Sequence, residues 1–586
     1  MRNTRMSTTR TSKPARSPAD RLDAILRRAD DLAGAWGARA RASTTPARER
    51  AMLRLFGVGG LNNDGVPLAS AVVERHVGGS RDRLAAGIAL PFAIALREYD
   101  IFPQQLALDV ASGAIDLAFE AELLAEPDRR AGAEAEVSRL AARALERFDA
   151  NRTARLELLG VLGDAPRPWF GLSLSAPTME AAPEDAAALV AAGADLLRIR
   201  VPAGRELVLR LHDRGLEPAY WHPRDGRPGA GAPLSWTPGA SPATWPAGAP
   251  SAAWPPGVSP ASWPPGAPSA AWPPGAPFAD EDPATVPPGS QRALAALRAR
   301  VDEAAAEAGR YVRLATVSTA LGAPEQALVA ALERIDVVEA DPIAEIVTDG
   351  VDPDRALADH AFGHRLLRRS GAMVMVGPGP LIVAPDLARG LPADAGTRAG
   401  RAFAMQALAV ALARGDGLGA GQLAAGALVP WLADEQFPAA QALAAVALRR
   451  LAWPDLSLVF EEPDLPSRTA ARWVYLVGLS LGVAGSGSIV LRRATEPRLA
   501  VHAEETTRAA ASVAGEFADE PDAVLARPAV LERAEALLAA AESTLDDLAD
   551  QGWQAVLGTP LGGPDLDRLG ADAVVERTEA FDPLGA

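Results

Sequence analysis

Residues 311–340 read YVRLATVSTALGAPEQALVAALERIDVVEA. Tyr311 to Val317 is a short apolar, β-rich run, Pro324 to Ile335 carries apolar side chains at helical spacing behind a proline, and Asp336 to Ala340 is β-rich again. Proline is tolerated in the first turn of a helix because that turn has no use for its missing N–H. A strand, a helix and a strand with short connections make a parallel pair joined by a crossover helix. The strand runs lack polar alternation, as expected where helices cover one face and a core fills the other.

The same texture extends on both sides. It predicts strands at Trp169 to Leu174, Leu196 to Val201, Pro218 to His222, Ala372 to Val376, about Ala424 to Val429 and Leu456 to Phe460. Helices are expected at Pro183 to Ala192, Gln291 to Ala308, Asp354 to Arg369, Arg398 to Arg414 and Pro438 to Arg450. Eight such units predict an α/β chain folded as a TIM-like (β/α)8 barrel over 164–490. A disordered basic leader (1–20) and a helical region (21–163) precede it, and a helical, acidic region with a Gly/Pro/Asp-rich tail (491–586) follows. The uncharged run Trp473 to Leu491 is long enough to span a bilayer, but glycine and serine dilute it, and it reads as a buried helix followed by a Gly/Ser turn.

A Pro/Trp-rich insertion (224–290) interrupts the pattern. Trp236, Trp245, Trp254, Trp263 and Trp272 recur in strict register, with Pro-Gly pairs after most of them. Proline removes backbone donors and no apolar face recurs, so an extended, polyproline-like linker is expected. The repeat reads as tandem duplication in a tolerant loop or, alternatively, as a docking face for a partner.

Composition excludes several chemistries. The only lysine is Lys13, in the leader, so the folded body cannot form a Schiff base or hold phosphate with an ammonium group. Cysteine is absent, which removes disulfides, thiolate nucleophiles and Cys-ligated metals. A net charge of -16 argues against a nucleic-acid partner. Met1 to Arg21 lacks the apolar segment of a secretory signal, so a cytoplasmic protein with no membrane span is expected.

In such a barrel the reacting groups lie at the C-terminal ends of the strands. The expected strand ends nominate Ser175, Arg200, His222, Ser318, Thr319, Asp341, Glu345, Glu461 and Glu462. Singly, each reads as a loop residue or an ion-pair partner. Together, Arg200 suits a phosphate or carboxylate and the acids suit an ammonium-bearing substrate. His360 and His364 have metal-ligand spacing on a helix, but no third ligand is evident and the helix is expected to turn them away from the mouth, so no metal site is predicted. The loop from Gly57 to Pro67 follows no strand and lacks the G-x-G-x-x-G pattern of a dinucleotide site.

Particular residues carry a family resemblance. Glu49-Arg50, Arg54-Leu55, Gly57, Gly60, Asp64, Pro67-Leu68 and Val72-Val73 resemble the opening signature of the lysine 5,6-aminomutase alpha (large) subunit. Gly309 to Leu314, Pro324-Glu325 and Glu333 to Val337 are similar to that family's central barrel segment. The resemblance implies a pyridoxal-phosphate-binding barrel. It also implies a smaller cobalamin-binding beta subunit that supplies the Schiff-base lysine and the adenosylcobalamin site, and a radical 1,2-shift of a terminal amino group on lysine, beta-lysine or a related amine. The family's phosphate-side arginine matches Arg200, and a neighbouring hydroxyl matches Thr319, beside Ser318. The ring-stacking tyrosine falls at Ala344, an arginine at Asp349, an acid at Gly379 and the pocket lysine at Val459, and the substrate loop after the second strand has no counterpart.

Two readings stand at this point: an aminomutase large subunit with a rebuilt pocket, or a non-catalytic relative that keeps the barrel and scaffolds a cobalamin-binding subunit. The linker reading of the repeat is testable by deleting 228–288. Closure entropy varies slowly with loop length, so the unfolding free energy from denaturant titration should change by no more than about 1 kcal/mol. A loss of several kcal/mol would show that the repeat packs on the barrel.

Overall fold

Eight short strands, each apolar on both faces, cannot bury themselves as an open sheet, and closure removes both edges. In the computed structural model they are β1 (Trp169–Leu174), β2 (Leu196–Ile199), β3 (Arg313–Val317), β4 (Val337–Glu339), β5 (Met373–Val376), β6 (Leu423–Gly426), β7 (Ser457–Glu461) and β8 (Ile489–Arg493). They form a closed parallel barrel in chain order, with β8 returning to β1 through Trp169↔Ile489 and Ser173↔Arg493. The described residues are 17–60, 62, 66–174, 182–199, 289–318, 321–377, 395–427, 438–461, 467–485, 487–493, 505, 508, 520–557, 573–578 and 581–584.

The two-residue strand period separates two cores. Trp169, Leu196, Ala315, Val337, Met375, Ala424, Val459, Ile489 and Leu491 fill the barrel interior. Their neighbours Phe170, Leu172, Leu197, Leu314, Val338, Val374, Leu458, Phe460 and Val490 belong to the core shared with the helices.

One strand of the expected barrel is a different one. The stretch Pro218 to His222 lies outside the described residues, and the barrel is complete without it, because β2 pairs directly with β3 through Leu196↔Arg313. The eighth strand is β8, which begins inside the uncharged run, after the helix Ser467–Ala484. Gly485, Gly487 and Ser488 lie between the helix and the strand. The Trp/Pro insertion also lies outside the described residues.

Before the barrel, the described residues form α-helices α1 (Pro18–Ala42), α2 (Pro46–Leu55), α3 (Leu68–Val77), α4 (Arg81–Ala86), α5 (Ala89–Tyr99), α6 (Pro103–Ser112), α7 (Leu117–Glu122) and α8 (Pro127–Leu162). The barrel helices are α9 (Ala182–Ala191), α10 (Gly289–Ala308), α11 (Ala323–Leu332), α12 (Pro353–Ser370), α13 (Ala395–Gly415), α14 (Pro438–Ala452) and α15 (Ser467–Ala484), and α16 (Pro528–Gln551) follows. Helices α1 and α16 pack over α13, where Gly400 lies against the α16 backbone at Leu537 with no space for a Cβ. Ser43–Thr44 pairs antiparallel with Val575–Glu576, joining the two flanking regions.

Buried arginines fasten the helical layer to the barrel. Arg50 on α2 donates through Nε and Nη2 to both oxygens of Glu325 on α11, at 3.1 and 3.0 Å, with both side chains fully buried. At the N-terminal face of the barrel, Asp336 accepts from Arg155 of α8 at 2.7 Å and Arg298 of α10 at 3.0 Å. It also takes the Tyr311 hydroxyl at 2.7 Å and the Leu314 amide at 2.9 Å. Burial works against its charge, but the two guanidiniums and these donors outweigh it and hold the carboxyl below its usual pKa.

Replacing Asp336 with asparagine leaves the buried Arg155 guanidinium without its counter-charge and Arg298 paired with Asp302 alone. We expect Asp336→Asn to lose about 3–5 kcal/mol in denaturant unfolding. A loss below about 1 kcal/mol would show that the arginines re-pair elsewhere.

Candidate active site

The last inward-facing positions of β2, β4 and β7 are Arg198, Glu339 and Glu461, and together they place charge at the C-terminal mouth. Arg198 is 2% exposed. It donates through Nη1 to Glu461 at 2.5 Å and through Nη2 to Glu339, bridging strands that are not neighbours in the sheet. Burial disfavours its charge, but the two carboxylates more than offset this and raise its pKa.

A second cluster grows from the loops after β3 and β4. Asp341 caps the helical turn Pro342–Ala344, accepting from the amides of Ile343 at 2.9 Å and Ala344 at 3.2 Å. The chain then makes one π-helical turn, Glu345–Asp349, which ends at Gly350 with φ 75°. Such wide turns recur at functional sites. Helix α12 follows, started by Asp352 accepting from the Arg355 amide ahead of Pro353 and stopped by left-handed Gly371. Its second turn carries His360, whose Nε2 lies 3.0 Å from Oε1 of Glu345. The Ser318 hydroxyl donates to the same oxygen at 3.4 Å.

All four side chains are buried. Burial pushes the Asp341 carboxyl up to about 6. The Ala344 amide, His360 and the Ile343 amide oppose the rise, and Glu345 adds to it. Burial disfavours protonated His360, yet Glu345 first and then Asp341 and Asp359 outweigh it and raise its pKa.

Of the nominated residues, Ser318, Asp341, Glu345 and Glu461 lie at the mouth. Ser318 and Glu345 touch, Asp341 adjoins them, and Glu461 belongs to the Arg198 set. Ser175, Arg200, His222, Thr319 and Glu462 lie outside the described residues. Sequence reasoning missed Arg198, Glu339 and His360. Strand parity could have found the first two, each two residues before a nominated position. His360 was expected to face away from the mouth, but the π turn brings Glu345 back against it. No group of three or more His, Asp or Glu among the described residues could hold a metal. Among the same residues, no helix is long and apolar enough to cross a membrane.

A parallel eightfold barrel with helices outside and ionisable groups gathered on strand-end loops defines a TIM-barrel protein with an enzyme-like mouth. A family model described as the D-lysine 5,6-aminomutase TIM-barrel domain of the alpha subunit matches residues 20–208 and 289–464, more than half of the chain, breaking off across the Trp/Pro repeat. The chain belongs to that family. It is 22% identical over 344 residues to the lysine 5,6-aminomutase alpha subunit of Acetoanaerobium sticklandii, covering 58% of this chain and 52% of that protein. The match thus spans about half the length of the curated relative.

The described mouth residues do not by themselves fit the phosphate-bearing coenzyme that this family implies. Both Nη atoms of Arg198 are taken by carboxylates. Four acids, Glu339, Asp341, Glu345 and Glu461, would repel a phosphate dianion. At the family's ring-stacking position, Ala344 offers no aromatic face.

Asp341 gives the cluster a measurable signature. Its folded pKa lies above the unfolded value near 3.8, so the folded state binds more protons and wild-type stability falls as pH rises from about 4 through 6. Asparagine caps equally well without titrating. The stability of Asp341→Asn relative to wild type should therefore increase across that window, by about 2–3 kcal/mol at pH 7. A difference independent of pH would contradict the placement of Asp341.

Proposed function

We propose that this chain is the large (alpha) subunit of an aminomutase-like isomerase, acting on lysine, beta-lysine or a related amine by a radical 1,2-amino shift. The observation that carries this reading is the family match over a closed barrel whose mouth is acidic. An excess of carboxylates in a low-dielectric site favours a cationic amine substrate over an anion. In this reading the chain's own residues bind and orient the amine: Glu339 and Glu461 are held by Arg198, and Asp341 and Glu345 follow on the loop after β4.

Pyridoxal phosphate would supply the electron sink for amino migration and adenosylcobalamin the radical initiator. A smaller cobalamin-binding beta subunit would contribute the amine for the Schiff base, because the only lysine here is Lys13. Arg200, Ser318 and Thr319 are the residues proposed toward the coenzyme, with Ser175, His222 and Glu462 as further candidates toward the substrate. A cytoplasmic setting suits such a metabolic complex. Arg198, with both Nη atoms taken by carboxylates, and Ala344 favour a second reading, a non-catalytic relative that scaffolds a cobalamin-binding subunit.

Mixing the purified chain with pyridoxal phosphate, with and without a cobalamin-binding beta subunit of this family, separates the two. The catalytic reading expects the coenzyme's visible absorption to change only in the ternary mixture, with amine turnover on adding adenosylcobalamin. Complex formation with no spectral change would favour the scaffold.

A further inference from the structure

Of the seven large apolar side chains exposed among the described residues, four fall between residues 99 and 119: Tyr99, Phe102, Leu108 and Phe119. An exposed apolar side chain is ordinary when it stands alone, whereas a group of them marks an interaction surface. Tyr99 ends α5, Phe102 stands directly before Pro103 at the start of α6, and Phe119 lies on α7. The Tyr99 hydroxyl donates to Oε1 of Glu120 at 3.0 Å, which brings the end of α5 against the residue next to Phe119. Phe102 and Phe119 are 79% and 70% exposed, so neither ring is held in the chain's own core.

The charge around these rings has one sign. Residues 98–128 hold eight acids and no lysine, arginine or histidine, in a chain where lysine and arginine make up 58 of 586 residues. Arg129, just beyond, neutralises two of the acids, Glu98 at 2.7 Å and Glu126 at 2.9 Å. Glu120 is placed differently. It is 7% exposed, yet among the described residues it accepts only from Tyr99 and no cation lies within ion-pair distance of it. A carboxylate taken out of water without a counter-charge is costly, and a guanidinium would bring both the charge and two parallel donors. The same planar group stacks on aromatic faces, which a lysine ammonium cannot do.

We propose that the corner formed by α5, α6 and α7 is a docking face for a partner protein that presents arginine, its guanidinium planes lying on Tyr99, Phe102 and Phe119 and one guanidinium fork on Glu120.

Arginine and aromatic side chains carry much of the binding energy at protein interfaces, and an acidic surround steers a basic surface toward the rings. Helices α6 and α7 pack on α3 and α5 of the N-terminal region, so this face stands apart from the barrel mouth and from the proposed isomerase activity.

Fluorescence anisotropy on the full-length protein tests this at physiological ionic strength, with a labelled peptide alternating glycine and arginine and its glycine–lysine counterpart. The arginine peptide should bind the more tightly. Phe102→Ala and Phe119→Ala change no charge and remove exposed side chains, and each should weaken the arginine peptide about threefold. Glu120→Gln should weaken it about tenfold or more. Glu532→Gln, the same charge change at an exposed position of α16, should leave it unaltered. Equal binding of the two peptides, no effect of either phenylalanine, or equal effects of the two glutamate variants would overturn the proposal, because the net charge of -16 would then account for binding. Two further arms address other occupants. Tighter peptide binding by a chain lacking residues 1–16 would assign the face to its own basic leader, and a dimer in sedimentation that Phe119→Ala dissociates would assign it to a second copy. Either result would displace the partner protein and overturn the proposal.

Discussion

The carboxylate of Asp336 is the point on which the assembly rests. It lies just before β4, and its donors come from a helix of the N-terminal region, a barrel helix and the start of β3. Removing a carboxylate and two guanidiniums from water costs several kcal/mol for each ion, which well-formed hydrogen bonds only just recover. The result is positional accuracy more than net stability: α8, α10 and β3 cannot shift independently while all four donors converge on one group. Asp195, before β2, repeats the device with the Phe170 amide at 3.0 Å and Arg310 at 3.1 Å. These carboxylates precede their strands and fix the N-terminal face, where barrels keep their stability.

The opposite face uses the same residue types differently. Arg198 ties β2 to β4 and β7 above the apolar cluster of the barrel interior, so charge takes over at the mouth where that packing ends. Farther round the rim, Asp341, Glu345 and His360 are buried with fewer donors than their charges need. Rigidity at one end and partial satisfaction at the other follow from how many donors each carboxylate receives.

Much of this was legible in residues 311–340, because a strand buried on both faces and a proline-led helix each have an unambiguous pattern. Strands β3 and β4 fall within the expected stretches, and helix α11 begins one residue before its own and ends three residues short of it. The count of eight strands was right, although one member was wrong: Ile489–Arg493 merges with the apolar helix before it, and only the glycine/serine turn marks the join. The mouth was legible only in part. Strand ends nominate the residue after the strand, whereas the side chains that enter the barrel are fixed by parity. That is why Asp341 was found and Glu339 was not. His360 could not be placed from sequence at all, since its partner comes within reach only through a π turn that leaves no periodic signal.

The near absence of lysine gives these observations a common basis. A guanidinium stays protonated even where burial lowers its pKa to about 9, as at Arg449, so a body whose side-chain cations are arginine and histidine keeps its buried ion pairs charged across the physiological range. Arg50, Arg155, Arg198 and Arg298 then act as permanent fasteners. Sensitivity to protons must come from histidine or from a carboxyl raised by burial, and Asp341 and His360 bring one of each to the same corner of the mouth. A lysine at Arg198 would remain a cation but could not span Glu339 and Glu461 with two separate nitrogens, and its charge would be open to loss on burial. The arginine-only body therefore separates what holds the barrel together from what can respond within it.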